Sequence, residues 1–165
     1  MNPINKTSIR DYNIDDIELI TSKQEELIKF HLNIDKDFYK PSINAKEELK
    51  SFLIRKQNDS NFKLLIAEYE TLPVGYVMGW INERPPIYHY RREGYLSNIY
   101  IDQDYRGRGI GSKLYKRLEN WFIEKGVNYI EIKADCENHD TVKSFLALGF
   151  KLKIYGFLKK VNDSD

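Results

Sequence analysis

Cysteine is nearly absent: Cys136 is the only one in 165 residues, which excludes an internal disulfide framework and a metal site built from several thiolates. An excess of charge is missing too. Lys and Arg number 26 against 25 Asp and Glu, a formal net charge of +1, so bulk electrostatic binding of nucleic acid is not expected. No apolar run approaches the roughly 18 residues of a membrane span, and the opening stretch MNPINKTSIRDYN has no apolar core of a secretory signal. Glycine is sparse, at nine residues, which makes any cluster of it informative. What is present is a globular mixture: 41% hydrophobic, 13% aromatic and 31% charged residues. The length suits one ordinary domain with a sizeable core, and no repeat, linker or low-complexity block divides it. The expectation is a single domain over 1–165, cytoplasmic, with neither nucleic acid nor membrane as partner.

The hydrophobic period gives the order of elements. Positions 6–11 read as a strand. Asn13 can cap a helix starting at Ile14, with Asp15, Asp16 and Glu18 at its positive end; Ile17, Ile20, Leu27, His31 and Ile34 follow helical spacing behind it. After Pro41, 44–56 is a second amphipathic helix with Leu49, Phe52 and Leu53 on one face. The period then changes. Segments 62–69 and 74–81 are dense in strand formers and form a hairpin around Glu70-Thr71-Leu72-Pro73. Two prolines make 82–92 a loop, and 95–102 is the next strand. The helix over 110–125 carries the clearest stripe, Ile110, Leu114, Leu118, Trp121 and Phe122, and ends at Gly126. A strand over 128–134, a helix over 138–148 and strand material over 150–161, interrupted at Gly156, complete the chain. The order β-α-α-β-β-β-α-β-α-β(β) is mixed α/β, with a largely antiparallel sheet flanked by helices.

The glycine cluster lies where the strand ending near Asp102 meets the best helix: Arg106-Gly107-Arg108-Gly109-Ile110-Gly111. Three glycines in five positions let amide N–H groups turn inward without Cβ obstruction. The helix dipole and two arginines add positive potential there, a combination suited to a pyrophosphate. A P-loop would need Gly-Lys-Ser/Thr, and here Gly111 is followed by Ser112 and Lys113. A Rossmann site has Glu131, 20 residues after Gly111, in its favour. Against it, the glycines read GxGxG and only 54 residues follow Gly111.

The run 96–111, above all RGRGIG read as Arg-x-x-Gly-x-Gly, resembles the acetyl-CoA-binding signature of the GNAT superfamily of N-acetyltransferases. A second block agrees: Asn138, Phe145 and Leu148-Gly149-Phe150 match the family's Asn…Tyr…Leu-Gly-Phe segment. Ile9-Arg10, Ala67-Glu68 and Pro73-Val74-Gly75 fit the same template, as does the element order. The resemblance implies a GNAT-like fold and transfer of an acetyl group from acetyl-CoA, as donor co-substrate and without a metal, to a primary amine on a small molecule or peptide terminus. It implies that amides of Gly107, Arg108, Gly109, Ile110, Gly111 and Ser112 hold the pyrophosphate, assisted by Arg106 or Arg108. The backbone around Ile99, Tyr100 and Ile101 would pair with the pantetheine arm where the fourth and fifth strands splay. Asn138 would bond near the pantetheine as well as cap its helix, and Phe145 would line the same site.

Direct attack requires the amine, with a pKa of about 10, to lose a proton before it meets the thioester. Two carboxylates are candidate bases. Glu131 lies on the fifth strand, where ribosomal-protein alanine acetyltransferases of the superfamily carry a glutamate; Glu93 lies just before the fourth. Phe145 stands where the family has its general-acid tyrosine, leaving Tyr155 or Tyr100 as substitutes with nothing to select either. A CoA-like thiol, with a pKa of about 8.5, can also leave with solvent as acid. A catalytically silent acyl-CoA-binding module is the alternative that Phe145 opens, with a Rossmann-like nucleotide-binding protein behind it. Cys136 beside His139 reads as an inert loop cysteine, and His31, His89 and His139 have no metal-ligand spacing. Lys113, Lys116 and Arg117 read as a solvated helix face within reach of a 3′-phosphate. For the acceptor, 31–39 offers Asp35 and Asp37 to a cation, while 83–92 is aromatic and basic. An exposed end strand would suit pairing with a second copy.

Overall fold

Strand propensity and hairpin chemistry build the sheet. β1 (Thr7–Asp11), β2 (Phe62–Tyr69), β3 (Leu72–Glu83), β4 (Arg92–Ile101) and β5 (Tyr129–Ile132) lie side by side in chain order. The first three pairings are antiparallel and β4–β5 is parallel, as expected for early hairpins and a late crossover. The computed structural model describes residues 6–161 and divides the chain into two units after Lys133.

In the first unit the sheet is covered on both faces. Phe62, Leu64, Ile66, Tyr76, Met78 and Tyr100 meet Ile17 and Ile20 of α1 (Ile17–Leu32) and Leu53 of α2 (Ala45–Lys56). On the other face lies α3 (Ile110–Glu124), burying Ile110, Leu114, Leu118, Trp121 and Phe122, the stripe read from the sequence. It sits so close that a Cβ at Gly94 would come within 2.8 Å of the Phe122 ring. Double coverage explains why β2 and β3 read as nearly continuous apolar runs rather than strict alternation.

Boundaries moved where local chemistry was subtler. The hairpin turn is only Glu70-Thr71, both at positive φ (49° and 75°), as a two-residue turn between right-twisted strands demands. Leu72 and Pro73 already belong to β3, with Pro73 beside a register shift where its missing N–H is tolerated. The loop expected over 82–92 shortens to 84–91. Asn13 does cap the chain, accepting from the Asp15 N–H, but into a 3-10 turn over Ile14–Asp16, and α1 begins at Ile17.

That turn is anchored by Arg10. Its two terminal nitrogens donate to both Asp16 oxygens at 2.7 and 2.8 Å, and its Nε donates to Glu68 at 2.6 Å. The Arg10 hydrogen bonds hold the buried Asp16 carboxyl below its ordinary pKa. A depressed native pKa contributes stability that is complete above the unfolded value and is lost as pH falls through the native one. Arg10→Ala is expected to cost about 1–3 kcal/mol at neutral pH by orphaning a buried acceptor. Urea unfolding should show the gap to the wild type closing below about pH 4.

The second unit holds α4 (His139–Ala147), capped by Asn138, whose side chain accepts from the Thr141 N–H. Gly149 at φ 92° and a Phe150 N–H bond to the Phe145 carbonyl turn the chain out of the helix. The strand expected over 150–161 is not there: the segment has no regular secondary structure, and 151–161 are exposed. Its alternation of Leu152, Ile154 and Leu158 with lysines supplies strand propensity, but propensity without a partner edge makes no ladder.

Candidate functional site

The parting of β4 and β5 creates the most distinctive geometry. Their parallel pairing runs from Glu93 opposite Tyr129 to Leu96 opposite Ile132 and stops, while β4 continues to Ile101. The Asp102 N–H donates to Val74 across the β3 side at 2.8 Å. By antiparallel alternation Tyr100 shares that orientation, whereas Ile99 and Ile101 direct N–H and C=O to the edge that β5 has left. Their side chains pack toward α3, where a Cβ at Gly111 would lie 3.8 Å from Ile101 and 3.9 Å from Ile99. Tyr100, expected with its neighbours, instead sends its backbone to β3 and its hydroxyl to Glu26 of α1. Burial, then that hydrogen bond, raises its pKa well above an ordinary phenol's, which leaves it a poor proton donor.

Just upstream the ladder is irregular. Gly79 faces Leu96 and Met78 faces Asn98, so Ser97 is an extra residue in β4. Such a bulge bends its strand and switches the side-chain alternation; this is why Leu96 and Ile99 can both serve the α3 face.

At the end of the free edge stands the glycine turn. Gly107 and Gly109 take positive φ (72° and 76°), and Gly109 caps α3 in the left-handed region. The first helical bond runs from the Lys113 N–H to the Gly109 carbonyl, so helix geometry leaves the N–H groups of Ile110, Gly111 and Ser112 without intrahelical acceptors. Residues 106–109 are exposed. The Arg106 Nε donates to the Ile101 carbonyl at 2.9 Å, tying the arginine to the free edge itself. Arg108 donates to the Asp104 carbonyl and lies over the Tyr105 and Tyr69 rings. Asp102, the carboxylate beside the turn, is neutralised by Lys23, which bonds both oxygens at 2.6 and 2.8 Å.

The candidate bases share the α1/α2 face of the sheet. Glu131 pairs with Tyr95, whose ring lies 5.0 Å from Trp80, itself against Phe52 of α2. Glu131 is half-buried and, among the described residues, makes no side-chain hydrogen bond or ion pair. Glu93, expected just before the fourth strand, lies inside β4 because the strand starts at Arg92; it is two residues before Tyr95, with Arg84 at 3.9 Å. In the 31–39 segment Asp35 accepts from the N–H groups of Asp37 and Phe38, a turn-forming role. In the 84–91 loop the Arg84 guanidinium sits 4.2 Å from the Tyr88 ring centre.

In the second unit Asn138 is a helix cap, Phe145 is buried with its ring 5.7 Å from that of Phe150, and Cys136 and Tyr155 are exposed. Among the described residues no three His, Cys, Asp or Glu side chains gather as a metal site, and no helix is long and apolar enough to cross a membrane. Sequence reading missed the polar residues of α1, Lys23, Gln24 and Glu26, that reach across to β3 and β4. The one available signal was the break in alternation at Leu96-Ser97-Asn98.

Residues 28–150 match the Acetyltransferase (GNAT) family model. The chain is 28% identical over 165 residues to an uncharacterized N-acetyltransferase of Methanocaldococcus jannaschii, a match covering 97% of this chain and 68% of that protein. A tetramutant of a Bacillus halodurans protein shares the fold with a TM-score of 0.81 at 16% identity, covering 93% of this chain and 99% of that one. So does a predicted acetyltransferase from Clostridium acetobutylicum solved with acetyl-CoA, at 0.74 and 23% identity, covering 93% and 96%. The mixed α/β fold read from the sequence, a largely antiparallel sheet flanked by helices, is thus shared with these structures, here with five strands because the strand material expected over 150–161 does not form. With the family model spanning most of its length, the chain belongs to the acetyltransferase (GNAT) family.

Proposed function

We propose that the chain is an N-acetyltransferase that moves an acetyl group from acetyl-CoA to a primary amine by direct attack on the thioester. The observation that carries this reading is the junction of a free strand edge with a helix N-terminus: the Ile99 and Ile101 backbone leads into the turn at 107–109. A pantetheine arm is an extended diamide that satisfies such an edge as an added strand would. The diphosphate that follows needs the unbonded N–H groups of Ile110, Gly111 and Ser112 and the positive end of α3. Arg106, already bound to the Ile101 carbonyl, keeps guanidinium N–H groups for a phosphate oxygen. The acetyl donor in the Clostridium acetobutylicum structure supports the choice of ligand.

In the reaction the neutral amine nitrogen forms a bond to the acetyl carbon, the C–S bond breaks, and the thiolate leaves, taking up directly or through solvent the second proton that the acylated nitrogen sheds. The proton lost by the ammonium goes to a carboxylate, directly or through one water. Glu131 suits this role better than Glu93, because Arg84 already neighbours Glu93 and Glu131 is uncommitted. Thiolate departure needs no strong acid, which accommodates a phenylalanine at position 145.

Thermal shift tests the donor. Saturating acetyl-CoA, at about 100 times its Kd, is expected to stabilise by about 2.7 kcal/mol and raise Tm by about 5–10 °C, with NAD and ATP giving far less. Preference for NAD or ATP overturns the reading in favour of a nucleotide-binding protein. Stabilisation by acetyl-CoA with no thiol release across polyamines, aminoglycosides, amino acids and peptides would leave a binding module.

A further inference from the structure

Three polar residues of α1 cross to the sheet: Lys23 to Asp102, Gln24 to Tyr76 and Asn98, and Glu26 to Tyr100. Lys23 and Glu26 meet β4 and its end near the glycine turn. Gln24 meets it at the bulge. Its Oε1 accepts from the Tyr76 hydroxyl at 2.5 Å and from Asn98 Nδ2 at 3.0 Å, and Asn98 Oδ1 accepts from the Ser97 hydroxyl. Both residues at the irregular step therefore hang on one hydrogen-bond chain rooted in α1. Tyr76 is fully buried, so its hydroxyl has little access to water as a replacement for Gln24.

Asn98 immediately precedes Ile99, the residue beyond the bulge whose N–H faces the free edge. A bulge disrupts the ladder on one side, and β5 is absent on the other. The β3 ladder resumes with Asn98 opposite Met78 and Ile99 opposite Val77, so the placement of Asn98 at this restart fixes the direction of the Ile99 N–H. We infer that Gln24 is a positioning residue for acyl transfer: through Asn98 and Tyr76 it aims the Ile99 N–H at the thioester carbonyl oxygen. This rests on the reading of the β4 edge as the donor site. As the amine attacks, negative charge gathers on that oxygen, and a pre-aimed N–H stabilises it without reorganising. Gln24 touches neither substrate, and its effect passes through the strand.

The test uses the full chain with acetyl-CoA labelled with carbon-13 at the thioester carbonyl. Infrared difference spectra read its carbonyl stretch, titration calorimetry reads its affinity, and thiol release reads turnover with the best amine for the wild type. The bound wild-type stretch is expected below that of free acetyl-CoA. Gln24→Leu, which deletes both acceptor contacts, is expected to move it back toward the free value and lower kcat at least about tenfold with acetyl-CoA affinity unchanged. Gln24→Glu keeps an acceptor for both donors and is expected to restore the shift and most of the turnover. Asn98→Ala cuts the chain at its other end and should reproduce Gln24→Leu, which covers the case of a Gln24 variant that folds poorly. A shifted stretch that is the same in wild type, Gln24→Leu and Asn98→Ala overturns this inference alone, as does a bound wild-type stretch equal to that of free acetyl-CoA. No binding of acetyl-CoA to the wild type overturns the donor-site reading and this inference with it.

Discussion

Gly109→Asp is expected to remove much of the stabilisation of the protein by acetyl-CoA, from about a third of it to nearly all. Nothing lies within 4 Å of a Cβ built at this position, so the substitution meets no wall of protein. Two other effects act. Gly109 holds φ at 76° as the cap of α3, a conformation that costs an ordinary L-residue roughly 1–2 kcal/mol but that Asn and Asp adopt readily. The new carboxylate stands beside amides proposed to hold a diphosphate. A unit charge at about 5 Å and an effective dielectric of about 20 repels by about 3 kcal/mol, which surface screening reduces to about 1–3 kcal/mol. At the upper end the Kd weakens about a hundredfold, and ligand supplied at 100 times the wild-type Kd then stabilises by only about 0.4 kcal/mol. Gly109→Asn is the matched control, equal in shape and backbone preference but uncharged, and should keep most of the shift. A Gly109→Asp protein stabilised like the wild type would show that no phosphate sits at this turn.

The turn was legible because its chemistry is local. Three glycines before a helical stripe state a backbone requirement in the sequence itself, and two of them, Gly107 and Gly109, do take positive φ. Gly111 does not, and its role is closeness to Ile99 and Ile101 rather than torsion. The α3 stripe was equally plain, since one element dictates its own period. What composition could not express was whether a segment finds a partner. Residues 150–161 carry the right alternation and pair with nothing described, whereas Leu72-Pro73, read as turn, joins β3 because the two-residue turn at Glu70-Thr71 closes the hairpin earlier. The polar crossing from α1 was hidden for a related reason. In a run as hydrophilic as Ser22-Lys23-Gln24-Glu25-Glu26 nothing marks Lys23 as buried until Asp102, far along the chain, is placed against it. The sequence offered Glu131 as a strand carboxylate and, by resemblance, as one of two candidate bases with nothing to rank it above Glu93. That it is uncommitted while Glu93 neighbours Arg84 is a property of the assembled sheet.

That difference makes Glu131→Gln the more damaging of the two carboxylate substitutions. Gln keeps the shape and can still hydrogen-bond the amine or a water, but it cannot take a proton. Loss of a general base costs about 10²–10⁴-fold in kcat, and acetyl-CoA affinity should not change, because the side chain lies on the α1/α2 face whereas the phosphate groups are proposed to sit at the α3 N-terminus. Glu93→Gln is expected to cost less, since its charge already has a cationic neighbour. The pH profile separates proton transfer from simple repacking. Without a protein base only amine that is already neutral in solution reacts, and that fraction climbs steeply until pH reaches the amine pKa of about 10. The deficit of Glu131→Gln should therefore narrow as pH rises, whereas a variant that has merely lost the acceptor's binding geometry would stay impaired by a constant factor at every pH. A constant factor would remove Glu131 as the base and move the role to Glu93, where the same profile, measured on Glu93→Gln, has to show the narrowing instead.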